Sequence, residues 1–220
     1  MESIKLGIVT SQMFGENAYF AWRDGETKCL VVDPGLDVEQ ILGFLDEQGL
    51  QPAVILNTHG HADHIAGNAT LKQKWPEIPL VIGKGDEVKL TDPEQNLSAS
   101  YGMEMVSPPA DQTVCHGERL EWAGIALQVR DTPGHSAGHV VFVVEENDPI
   151  LVFGGDVLFR GGIGRTDFPD GNFDDLERSI RQQLYTLPDS AVVLPGHGPP
   201  TEIGQERQHN PFVSDDQSQT

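Results

Sequence analysis

Short apolar runs rich in β-branched residues recur along the chain at Ile4–Thr10, Ala18–Trp22, Cys29–Val32, Ala53–Asn57, Leu80–Ile82, Leu127–Val129, Val140–Val144, Ile150–Phe153 and Ala191–Leu194. Each reads as a strand. A helical spacing replaces this pattern in three places. Asp37–Gln48 puts Ile41, Leu42 and Leu45 on one face, Ile65–Trp75 is a second helix, and Phe173–Leu187 aligns Leu176, Ile180 and Leu184. Asp37, Asp63 and Asn172 stand where N-caps belong. Strands in series followed by interleaved helices predict an α/β protein with packed sheets and helices outside. The stretch Asp92–Gln112 has neither period and is expected to wind over the surface. No internal repeat or long linker divides the chain, so residues 1–212 are read as one domain. Residues 213–220 are read as a polar, frayed tail.

Composition narrows the function. Fourteen Lys and Arg against 34 Asp and Glu give a net charge of −20, which argues against nucleic acid or an anionic membrane as partner, since both need a positive face. Two cysteines, Cys29 and Cys115, make no disulfide framework, and the start Met1-Glu2-Ser3-Ile4-Lys5 lacks the apolar core of a signal peptide. The expectation is a cytoplasmic, reducing environment. The longest purely apolar run, Val140–Val144, is far short of the roughly 20 residues that span a bilayer.

Chemistry gathers after the fourth run. Asn57-Thr58-His59-Gly60-His61-Ala62-Asp63-His64 places three imidazoles and a carboxylate in one strand-to-helix loop. A capping turn needs one Asp and no His, whereas imidazole and carboxylate together suit a divalent transition metal. One loop cannot close a metal shell, so partners are sought just after other strands. His135 in Thr132-Pro133-Gly134-His135, Asp156 in Gly154-Gly155-Asp156 and His197 in Pro195-Gly196-His197-Gly198 meet that condition, each with Gly beside it to let backbone approach a ligand sphere. Seven ligands exceed one four-coordinate zinc. With Asp156 as a bridge, His59, His61 and His135 serve one ion, Asp63, His64 and His197 serve a second, and each keeps a position for a shared hydroxide. The expected cofactors are thus two divalent ions, zinc first, with iron or manganese as alternatives. Asp63 and Asp156 are candidate catalytic residues as well as ligands.

Thr58–His64 read as T-H-x-H-A-D-H, followed in order by His135, Asp156 and His197, resembles the metallo-β-lactamase fold superfamily. That resemblance implies a four-layer αββα sandwich of two mixed sheets with a binuclear site along one edge. Gly154 to Phe159, Gly164 to Phe168, Pro195 to Pro199 and the ending Glu206 to Phe212 are similar to short, single-domain glyoxalase II-like hydrolases, implying hydrolysis of a hydroxyacylglutathione such as S-D-lactoylglutathione by metal-bridging hydroxide. Two features depart from the longer glyoxalase II enzymes. Their C-terminal helical domain has no counterpart after His197, and Arg165 and Asp167 stand where they carry a glutathione-contacting Lys and Tyr. Gly164-Arg165-Thr166-Asp167-Phe168 also resembles persulfide dioxygenases of the same fold, which hold a single iron. Phosphodiester and lactam hydrolases of the fold are further alternatives.

Arg160 and Arg165 follow the bridge and are candidate contacts for a substrate carboxylate, or equally ion-pair partners for Asp167 or Asp170. Cys29 reads as packing, and His139 as a satisfied structural histidine or, as the alternative, a hydrogen-bond partner behind the metal ligands. Asp33-Pro34-Gly35 reads as a turn, although the resemblance places such an Asp beside the metal loop. Gly83-Lys84-Gly85 and Gly161-Gly162-Ile163-Gly164 lack the phosphate-loop arrangement. A thioester suits such a site because its thiolate departs without obligatory protonation.

Overall fold

The computed structural model describes residues 3–215. Among them, one six-stranded sheet carries β1 (Ile4–Thr10), β2 (Asn17–Arg23), β3 (Lys28–Val32), β4 (Gln51–Asn57), β5 (Leu80–Gly83) and β6 (Gln112–Val114) in that spatial order. The pairs from β1 to β3 are antiparallel and those from β3 to β6 parallel. β7 (Arg119–Trp122), β8 (Ile125–Asp131), β9 (Val140–Val144) and β10 (Leu151–Gly155) begin the second sheet. A hairpin of β11 (Leu158–Phe159) and β12 (Gly162–Ile163) stands apart, and β13 (Val192–Pro195) and β14 (Thr201–Glu202) complete the order β14-β13-β10-β9-β8-β7. Only β10 and β13 pair in parallel in this second, likewise mixed, sheet.

Alternation along each strand explains the layering. Leu30 and Val32 of β3, Val54 and Leu56 of β4, Phe142 and Val144 of β9 and Phe153 of β10 enter one cluster between the sheets. Their neighbours Cys29, Val31 and Ile55 enter a second cluster with Ile41 and Leu45, and Val141, Val143 and Val152 a third with Leu176, Ile180 and Leu184. Both faces of the central strands are therefore covered, and the strands read as unbroken apolar runs. The result is the αββα sandwich. α1 (Val38–Glu47), α2 (Ala62–Ile65) and α3 (Asn68–Lys74) cover the first sheet, and α4 (Phe173–Ser179) and α5 (Ile203–His209) the second.

The helix expected over Ile65–Trp75 is divided at Gly67, where a Cβ would come within 2.8 Å of the Pro34 carbonyl. The helix from Phe173 changes to wider turns over Ile180–Leu184. Asn172 caps it, accepting from the Asp175 N–H at 3.0 Å. Asp37 takes the N-cap position of α1, but its side chain accepts from Gln12 N at 2.6 Å and from no helix N–H, and Asp63 lies inside α2. Val213, assigned above to the polar tail, is fully buried in the third cluster, and Asp215 pairs with Arg181 at 3.0 Å. The remaining tail, 216–220, lies outside the described residues. Cys29 is packed in the core, and burial pushes its thiol up to about 12. No helix among the described residues is long and apolar enough to cross a membrane.

Candidate metal centre

Four strand ends converge where the two sheets meet. β4 delivers Thr58 to His64, the turn between β8 and β9 delivers His135, the end of β10 Asp156 and the end of β13 His197. The junction is stitched by backbone hydrogen bonds between the sheets: Val140 N to Thr58 O at 2.8 Å and Asn17 N to Gly196 O at 2.7 Å. Gly196 packs so closely that a Cβ would stand 2.2 Å from Asp156 Oδ1 and 2.6 Å from His64 Cε1. That satisfies the expectation of glycine beside a ligand sphere, since any side chain there would occupy it.

His61 Nδ1 lies 3.1 Å from His59 Nε2 and 2.9 Å from His135 Nε2. Asp63 Oδ2 lies 3.8 Å from His64 Nε2 and 3.3 Å from His197 Nε2. Asp156 joins the two sets: Oδ1 is 3.5 Å from His64 Nε2, and Oδ2 is 3.5 Å from both His135 and His197 Nε2. Ligands about 2.0–2.1 Å from a common zinc stand roughly 3.4 Å apart, so these edges match two metal shells. His64 Nε2 and Asp156 Oδ1 are buried without a hydrogen-bond partner, a cost a fold retains only where something else satisfies them. All seven residues read from the sequence as ligands come together, and the set of imidazoles and carboxylates fits divalent metal.

The opposite nitrogen of four imidazoles is anchored, which leaves the ligating one free. Asp33, buried with φ +48°, accepts from Thr58 N at 2.8 Å, from Thr58 Oγ1 at 2.7 Å and from His64 Nδ1 at 3.1 Å. Thr58 Oγ1 in turn receives His59 Nδ1 at 3.1 Å. His135 Nδ1 donates to Arg165 O at 2.9 Å, and His197 Nδ1 to Phe14 O at 3.2 Å. Asp33-Pro34-Gly35 is thus both a turn and the support of the metal loop.

Electrostatics separates the two sets. Burial, aided by neighbouring imidazoles, holds His59 and His61 well below the usual histidine range, and burial lowers His135. For His64, burial pulls down but the carboxylates of Asp63 and Asp156 and the Asp33 hydrogen bond outweigh it. His64 lies well above the ordinary value, and His197 is raised through Asp63 and Asp156 against its own burial. Burial alone would raise Asp63, but His64 and His197 hold it below the carboxylate range.

Two supports, Asp86 and Lys89, escape sequence reading. Asp86, fully buried, accepts from Gly60 N and Gly138 N, each at 2.8 Å, and from Ser136 Oγ, tying the His59–His64 loop to the His135 turn. Lys89 Nζ reaches Ser136 Oγ at 2.9 Å and Asp170 Oδ2 at 2.6 Å, fastening the Arg165–Gly171 loop to the same strap. His139, read as structural, also stacks on His59 at 4.9 Å and accepts the Asp156 N–H at 3.1 Å, so it sets the backbone of the bridging residue. The sequence carries no local signal for Asp86 or Lys89, because their partners are distant in the chain.

A cavity of about 240 Å³ opens over the ligands. Arg165 lines it, its fork engaged by Asp167 at 2.9 Å twice and stacked on Phe168 at 4.4 Å. Arg165 therefore forms the expected ion pair with Asp167 and also lines the cavity. Arg160 does not line this cavity. Its guanidinium donates to Pro200 O, with Nε at 3.1 Å, in a separate groove beside Glu206 and His209. The unpatterned stretch Asp92–Gln112 winds over the surface for most of its length as expected, but Asn96 and Ser98 within it are fully buried, and Leu97, Tyr101, Met103 and Met105 line the cavity.

Comparison with known proteins agrees with this geometry. A probable metallo-hydrolase of Bacillus subtilis, YqgX, is 41% identical over 199 residues, covering 90% of this chain and 92% of that protein. The hydroxyacylglutathione hydrolase GloC of Haemophilus influenzae is 35% identical over 214 residues, covering 96% and 99%. Among solved structures, the B3 metallo-β-lactamase BLEG-1 superposes with a TM-score of 0.90 at 34% identity, covering 95% of this chain and 99% of that one. TTHA1623 in a di-iron-bound form gives 0.82 at 35% identity, covering 94% and 100%. The family model for the metallo-β-lactamase superfamily matches residues 13–197, a span from the loop before β2 to the last histidine ligand, and the chain belongs to that superfamily.

Proposed function

We propose that this metallo-hydrolase holds two divalent ions and cleaves a thioester, with hydroxyacylglutathiones such as S-D-lactoylglutathione as the first substrates to test. The observation that carries the reading is the complete second ligand set. Asp63, His64 and His197 stand beside His59, His61 and His135, and Asp156 reaches both sets, with Oδ1 toward His64 and Oδ2 toward His135 and His197. Zinc is proposed for both positions, with iron or manganese as substitutes, since imidazole and carboxylate accept all three. The identity of GloC as a hydroxyacylglutathione hydrolase supports the thioester, and the di-iron form of TTHA1623 supports two metals.

When bound, two such ions lower the pKa of shared water and polarise a carbonyl oxygen. The chain's own residues do the rest. Asp33, Thr58 and the Arg165 and Phe14 carbonyls fix the imidazole tautomers. Phe168 sets its ring across His61 and His135 at 5.1 and 5.5 Å and sheds water from that side. Arg165, at the rim, offers a cation to a carboxylate. No side chain is needed to protonate a departing thiolate.

A lactam reading is favoured by one observation, the likeness to BLEG-1, and the dioxygenase reading needs only one metal. One assay panel separates them. We expect about two equivalents of metal per chain and free thiol released anaerobically from S-D-lactoylglutathione. Cleavage of a lactam with no thioester turnover, or oxygen uptake with glutathione persulfide and a single iron, reverses the reading.

A further inference from the structure

We infer that the substrate of this site carries an apolar group, which rests against a preformed wall made by residues 96–105; this rests on the thioester reading above. Leu97, Tyr101, Met103 and Met105 line the cavity together with the ligands, and Phe14 joins them in edge contact with Tyr101 at 5.7 Å, Tyr101 itself being 58% exposed. Apart from the metal ligands, the polar side-chain groups lining the cavity are those of Asn96 and Arg165 and the hydroxyl of Tyr101. Asn96 is not free to bind substrate. Its Nδ2 donates to Lys89 O at 3.1 Å and Met105 O at 2.9 Å, and its Oδ1 accepts from Ser98 N at 3.0 Å. A glutathione moiety presents two carboxylates and an ammonium, yet Arg165 is the one cation lining the cavity among the described residues, and Asp167 already engages it.

The wall is built rather than left over. Ala62 N, inside the ligand loop, donates to Asn96 O at 3.0 Å, and Met105 N donates to Ser98 Oγ at 3.1 Å. Leu97 takes φ +70°, a conformation in which a branched, non-glycine residue is strained. Such strain persists where the surroundings over-determine it and clusters at ligand clamps. Here it places a leucine side chain into the cavity from a loop that glycine would satisfy more easily.

The test uses the metal-loaded full chain and two thioester series. One lengthens the acyl group from acetyl to hexanoyl on N-acetylcysteamine, and the other keeps acetyl and lengthens an alkyl thiol. kcat/KM should rise about fourfold per methylene, the equivalent of the roughly 0.8 kcal/mol of a buried methylene, on whichever arm meets the wall. Leu97→Gly and Met103→Ser should flatten that rise at unchanged metal content, and Leu97→Gly should keep or raise Tm because it relieves the backbone. Calorimetry with the matching non-hydrolysable thioethers reads the wall without chemistry. Length-dependent affinity with no thioester turnover keeps the wall and overturns the thioester. Turnover that is flat in length on both arms, with glutathione thioesters preferred over N-acetylcysteamine thioesters, overturns the wall.

Discussion

Asp156 and His197 have unequal duties at the scale of single residues. Asp156 faces both ligand sets, while His197 faces only the set of Asp63 and His64 together with Asp156. Asp156→Ala should therefore lose both ions and His197→Ala one, as read by metal analysis after gel filtration; Asp156→Ala with full metal content would leave it a hydrogen-bond partner and no bridge. Asp33→Asn should weaken metal binding roughly 10–100-fold. Its amide would turn an NH2 toward one of three donors, Thr58 N, Thr58 Oγ1 or His64 Nδ1, where the carboxylate accepts from all. Acid should empty the two shells in sequence. In the metal-free fold His64 and His197 sit above the ordinary histidine value, so they gain protons, which an ion must displace, at a higher pH than His59 and His61 do. His59 and His61 sit well below it and stay neutral to lower pH. As pH falls below neutrality the ion held by Asp63, His64 and His197 should leave first, in a dialysis series read by metal content. Simultaneous loss of both contradicts that order.

Elements explain why some features were legible in the sequence and others were not. β3, β4, β9 and β10 were plain as apolar runs because both their faces are buried. β6 and β7 are short edge strands with exposed, polar positions, Gln112 in one and Arg119 and Glu121 in the other, and give no such run. The seven ligands were legible because each follows an apolar strand and four of them, His59, His61, Asp63 and His64, crowd one loop. The cavity wall was not, because an irregular segment held by Asn96 and Ser98 has no period to detect. The Asp86 strap was invisible for a related reason: its partners, Gly60, Ser136 and Gly138, are remote in sequence. Lys89 neutralises that strap from 3.6 Å at 2% exposure. Lys89→Met should leave Asp86 charged, buried and without its cation, at about 3 kcal/mol, or roughly 6–12 °C in Tm for a chain of this size. An unchanged melting curve would show that the three hydrogen bonds to Asp86 suffice without the ammonium.

The whole molecule sets the electrostatic field in which its substrate arrives. A chain of net charge −20 repels an anionic thioester over long range, and Arg165 at the cavity rim is the local exception. Its pair with Asp167 is largely exposed, at 61% and 69%, and such pairs contribute little to stability, so a substrate carboxylate can exchange with Asp167 at small cost. Arg165→Ala should accordingly raise KM for S-D-lactoylglutathione more than it lowers kcat, because a remote carboxylate contact acts alike on ground and transition states. Salt then tests the field against the single cation. The screening length is about 30 Å at 0.01 M and about 8 Å at 0.15 M. The lower salt lets the charge of the entire surface act at the cavity, and the higher leaves only neighbours such as Arg165. KM for S-D-lactoylglutathione should therefore fall roughly threefold or more as salt rises through that range, while KM for an uncharged N-acetylcysteamine thioester stays level. If KM for the anionic substrate instead rises with salt, the Arg165 guanidinium governs capture and the net charge does not.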